Sequence, residues 1–220
     1  MKKFKDFKQI IITAIIMCIS TVLLVACGKP KDEIYDEAKS LLASGKYDEA
    51  EEQLKGIADY KDVSDILEQM KWESKALNCV EDIRSSLKNA DSLQIKQIVF
   101  FSGETQSALT QSKQKYADKL SEILCSEGEP AIVFNIFGQN GFGGNFQDYI
   151  IYIYKNGEYI CLGSCKSLEK SKCRDDDEKQ TCDIINDCKT YLTQVGSVDM
   201  NRIETIIKNR SYSTVKIINN

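Results

Sequence analysis

The residue types able to do chemistry in this 220-residue chain are nine cysteines, a glycine-rich string and several carboxylate clusters; histidine is absent. Without imidazole there is no Ser-His-Asp or Cys-His nucleophile, no HExxH metal site and no histidine pH switch. No CxxC pair occurs, which excludes zinc-ribbon and thioredoxin spacing. Cys18 and Cys27 lie near the start. Cys79, Cys125, Cys161, Cys165, Cys173, Cys182 and Cys188 form an odd set of seven. Cys161, Cys165 and Cys173 flank one loop and are placed to staple it, whereas Cys182 and Cys188 fall on an apolar helix face. The pairing stays open.

Gln139, Asn140, Gly141, Phe142, Gly143, Gly144 and Asn145 form the best local binding candidate. Glycine tolerates positive φ and close backbone approach, and Phe142 offers a ring. No Gly-Lys-Ser/Thr follows, so this is no phosphate-cradling P-loop. The plainer reading is a hairpin connection. Asp175 to Glu178 lacks the alternating ligands and central glycine of a calcium loop, and fits carboxylates on a helix N-terminus better. Ser85/Lys88, Ser112/Lys115 and Ser167/Lys170 match Ser-x-x-Lys, but at chance frequency and without the companion Ser-Asp-Asn and Lys-Thr-Gly strings. No metal set and no cofactor motif emerges.

The elements that carry these residues begin with a leader. Lys2, Lys3, Lys5 and Lys8 precede Ile10–Ala26, a stretch with no charge. A basic region followed by an apolar one is a secretion signal. The apolar run is short for a spanning helix, which needs about 20 residues. Leu24-Val25-Ala26-Cys27 then resembles a bacterial lipobox. Membership in the lipoprotein family implies diacylglyceryl transfer to the Cys27 sulfur and cleavage before Cys27. Two acyl chains, at about 0.8 kcal/mol per buried CH₂, give stable anchoring. The competing reading is an uncleaved transmembrane helix. Either one places the rest of the chain outside the cytoplasm, because the positive flank stays inside. Scarce Arg with abundant Lys, Ile and Asn resembles low-GC Gram-positive usage.

The whole chain carries 29 basic and 33 acidic residues, a net charge of −4. Residues 1–26 hold a net +3, so the remainder stands at −7. An acidic body beside an anionic membrane is held off its surface. The same balance argues against a nucleic-acid partner.

Residues 27–31 read as a tether and 32–89 as a helical segment. Ile34, Ala38, Leu41 and Leu42 share one helix face, Gly45 ends that helix, and Tyr47, Ala50, Leu54 and Ile57 continue in a second. A third long helix starts at Val63. Gly45-Lys46-Tyr47-Asp48-Glu49-Ala50 with Leu54 and Ile57 resembles one tetratricopeptide repeat, with Ala38 and Ala50 at the small-residue positions. It departs at Ile34, where an aromatic is usual, and in lacking a proline after the second helix. About three repeats are needed for a solenoid, so one repeat offers little concave surface. A stalk is the plainer role, and a protein partner at this segment, with Tyr60 or Trp72 as anchor, the functional one.

Residues 90–220 read as an α+β domain with a small, mainly antiparallel sheet. Strands are expected at Leu93–Phe101, Ala131–Phe137, Asp148–Tyr154 and Tyr159–Gly163, the last two joined by an Asn156-Gly157 turn. One helix is expected within Glu104–Cys125 on a face of Leu109, Tyr116, Leu120, Ile123 and Leu124. Another follows Asp175 on a face of Cys182, Ile185, Cys188, Leu192 and Val195. Val198–Arg210 reads as a helix and Tyr212–Ile218 as a closing strand. The Leu87–Leu93 string with the glycine loop resembles a domain of uncharacterised Gram-positive lipoproteins, which implies a location and a fold but no activity. The function expected is therefore a non-catalytic, membrane-anchored extracytoplasmic binding or structural module. A cell-envelope hydrolase built on carboxylates is the alternative.

Overall fold

The computed structural model describes residues 29–209 and 215–218. The signal segment and Cys27 lie outside the described residues, as does the first part of the expected closing strand.

Helices α1 (Lys31–Ala43) and α2 (Tyr47–Lys55) form a hairpin. Gly45 takes φ 77° between them. Its N–H reaches the Leu42 carbonyl at 3.1 Å and the Lys46 N–H reaches Leu41 at 2.9 Å, a Schellman cap that glycine makes without strain. Ala38 and Ala50 are fully buried where the two helices approach, and Ala38, Leu54 and Ile57 share a small core with Val63, Ile66 and Met70. Those last three open α3 (Val63–Ser86), a 24-residue helix. Its second half leaves that core and packs Ala76, Leu77, Val80 and Ile83 on the sheet.

The sheet runs β4–β3–β2–β1–β5, from β1 (Gln94–Thr105), β2 (Ala131–Gln139), β3 (Asn145–Lys155), β4 (Glu158–Cys165) and β5 (Leu192–Ser197). These pairings are antiparallel. The two-residue β6 (Lys216–Ile217) joins β1 in parallel. One face carries α3 and α6 (Met200–Asn209), the other α4 (Gln111–Leu124) and α5 (Asp176–Tyr191). Ile98, Phe100, Phe134, Ile136 and Tyr152 fill the first core; Val99, Phe101, Val133, Ile151 and Ile153 fill the second. Covering both faces explains why the central strands are nearly continuous apolar runs. The fold is α+β. Among the described residues, no helix is long and apolar enough to cross a membrane.

Two expectations need correction. Leu192 and Val195 are not on the helix that follows Asp175: it stops at Tyr191, and 192–197 pair with β1 as an edge strand, leaving Val195 exposed. The β-branched Thr193 and Val195 favour that strand once β1 offers an open edge. On α4 the buried face is Ala117, Leu120 and Leu124, while Tyr116 and Ile123 face solvent and Leu109 precedes the helix. Asn156 and Gly157 both take positive φ, the turn expected between β3 and β4.

Candidate functional site

The glycine string is the β2–β3 hairpin. Gln139 ends β2 directly opposite Asn145, which opens β3. Asn140 organises the turn: its Oδ1 accepts from the N–H groups of Phe142 at 3.0 Å and Gly144 at 2.9 Å. Gly143 takes φ 81°, and a Cβ on Gly144 would sit 3.1 Å from the Asn140 amide. Gly138 lets the Phe146 ring cross the strand, since a Cβ there would lie 2.9 Å from its Cζ. Phe142 is 100% exposed at the tip.

Phe146 divides two clefts at the base of this hairpin. One, of about 390 Å³, takes in Gln139 and Asn145 with Ser92, Gln94 and Lys216. The other, of about 310 Å³, lies between the end of α3 and strands β2 to β4, with Asn140 at its rim. Ile83, Ile136 and Ile150 form its apolar part, and Asp82, Asp148, Tyr152, Cys161, Ser164 and Lys166 its polar part. The Tyr152 hydroxyl donates to Asp82 Oδ2 at 2.6 Å and ties β3 to α3. Burial and this carboxylate both hold the phenol proton in place.

Asp148 is the unusual member. It is 8% exposed, and its Oδ1 has no hydrogen-bond partner within the described chain. Burial pushes its carboxyl up to about 6, partly offset by the Tyr149 and Cys165 backbone N–H groups and the Lys166 charge. A buried polar atom without a partner is costly unless something else satisfies it. This constellation escapes motif reading because its members come from α3, β3, β4 and the segment after it. The one sequence signal is a lone charge, Asp148, inside an apolar strand.

The other candidates resolve locally. Asp175 caps α5 by accepting from the Glu178 N–H at 2.8 Å. Ser85, Ser112 and Ser167 engage groups within three residues of themselves. Trp72 packs on Phe100 with ring centroids 4.9 Å apart, and the Tyr60 hydroxyl donates to Asp32. Cys161 faces the cleft, whereas Cys165, Cys173 and Cys182 meet on the other side of the sheet. Compared with family models, curated proteins and solved structures, the chain matches none.

Proposed function

We propose that this chain is a membrane-anchored lipoprotein, held outside the cytoplasm by lipid on Cys27, whose body binds a small ligand without transforming it. The sequence around Cys27 supports the anchor. The observation that carries the binding role is the unpartnered Oδ1 of Asp148 in a cleft of about 310 Å³, a size in the range of small-molecule sites. Such a site takes a hydrogen-bond donor or ammonium group against Asp148 and an apolar face against Phe146 and the isoleucines. Tyr60 and Trp72 are engaged in packing, which favours a stalk over a partner-binding surface for the helical segment.

The test is a thermal-shift and calorimetric screen of small amines and amino sugars against wild type and Asp148→Asn. Binders that stabilise the wild type and lose affinity at least tenfold in the variant support the reading. Binders indifferent to the substitution contradict it.

A carboxylate hydrolase is the second reading, favoured by the same desolvated carboxyl. It needs a second carboxylate at the reacting bond, and Asp82 is already engaged with Tyr152. Turnover of a bound compound that disappears in both Asp148→Asn and Asp82→Asn would establish it.

A further inference from the structure

On the sheet face away from the cleft, three thiols converge from three elements. Cys165 ends β4, Cys173 follows the short 3₁₀ turn Lys170–Lys172, and Cys182 lies on α5. Their sulfurs all lie within 4.8 Å of one another. The Cys165 and Cys173 sulfurs are 3.7 Å apart. A disulfide would need about 2.05 Å. Two thiolates on one tetrahedral metal with bonds of about 2.3 Å would stand about 3.8 Å apart. Cys165 and Cys182 are fully buried, while Cys173 is only partly so and leaves one side open. The surroundings also hold a ligand in place: Asn186 Nδ2 lies 3.4 Å from the Cys182 sulfur and donates to the Leu168 carbonyl at 2.8 Å. Outer contacts of this kind orient metal ligands.

We infer that Cys165, Cys173 and Cys182 form a three-thiolate site for a zinc ion, with the fourth position open beside Cys173. Zinc suits the donor set: a closed-shell, borderline-soft cation with no redox step to balance. Binding releases the thiol protons to solvent, one per sulfur that becomes a ligand. Absence of CxxC spacing hid the set, because the three residues are joined by the β4–α5 connection rather than by a single turn. The proposal is independent of the cleft and of its ligand.

The test uses the detergent-solubilised full chain, reduced and desalted without oxygen, then titrated with Co²⁺ as the coloured stand-in. One equivalent should produce thiolate-to-cobalt charge-transfer absorption and tetrahedral ligand-field bands, both erased by Zn²⁺. Cys173→Ser, at the least buried of the three, should lose the absorption, and Cys161→Ser should keep it. In the unmutated protein, Zn²⁺ should slow alkylation of Cys165, Cys173 and Cys182 at least tenfold and leave Cys161 unchanged by peptide mapping. No absorption at one equivalent overturns the proposal. So does absorption that survives in Cys173→Ser, unprotected alkylation, or a disulfide among the three when the protein is thiol-blocked in its membranes.

Discussion

Cys161 and Cys165 lie on opposite faces of the sheet although both belong to β4. Tyr152 pairs with Cys161 and Ile151 with Gly163, so Leu162 is an extra residue that bulges the strand and reverses its alternation. Cys161 therefore looks into the cleft toward α3, and Cys165 is buried against α5. A disulfide between them would have to cross the sheet. Cys161 is the one exposed thiol among the seven described cysteines. In the metal-free folded protein it should be the first to react with a maleimide, and its adduct should abolish binding in the cleft. Peptide mapping of partly labelled protein checks the order.

Asp148 sets a pH dependence with a definite sign. Its carboxyl is raised from 3.8 to about 6, so the native state holds the proton more tightly than the unfolded chain. Stability from this group is full below about pH 4 and is lost as pH rises to about 6. The shift corresponds to at most about 3 kcal/mol. Asp148→Asn should remove that slope and raise the midpoint of thermal unfolding by several degrees at pH 7.5. Scanning calorimetry from pH 4 to 8 decides it. A variant less stable than wild type at pH 7.5 would contradict the assigned strain.

Glu73 and Arg202 join α3 to α6 across 3.0 Å, with Glu73 only 1% exposed. Burial raises the Glu73 carboxyl to about 7, and Arg202 pulls it back. Stability contributed by this proton is present below about pH 4.5 and fades as pH approaches 7. Arg202→Met removes the charge partner and leaves the buried carboxylate with the Gln69 amide, 3.4 Å away. The cost should be about 3 kcal/mol at pH 8 and much less at pH 5, where Glu73 is protonated. Urea titrations followed by Trp72 fluorescence at the two pH values measure it.

The β2–β3 hairpin should depend on Asn140 more than on its glycines. Asn140→Ala removes the acceptor of two backbone N–H groups and should cost about 1 to 2 kcal/mol. Gly143→Ala, at φ 81°, should cost about 1 kcal/mol. Phe142→Ser, at a fully exposed ring, should leave stability unchanged. Chemical denaturation of the three variants gives the ranking.

Much of this architecture was legible in the residues. Alternation and β-branched runs located β1 to β4, Asn156-Gly157 marked its turn, and Gly45 its helix end. Leu192–Ser197 was harder, because its residues continue a helical spacing and become a strand only where β1 lends an edge. The glycine string was visible as a connection, and two of its residues border one cleft and a third the other. Asp148, Tyr152 and Asp82 were not legible as a site, since their meeting is a product of packing α3 across β3. The Leu162 bulge likewise has no local signature, yet it decides which cysteines can meet.

The proposed membrane anchor depends on the Cys27 thiol. Intact-mass measurement of the protein purified from membranes, beside the Cys27→Ala variant, tests it directly. The expected species is a chain beginning at Cys27 and carrying diacylglyceryl mass, with the variant retained as unprocessed precursor. A chain that still begins at Met1 and bears no acyl mass would contradict it.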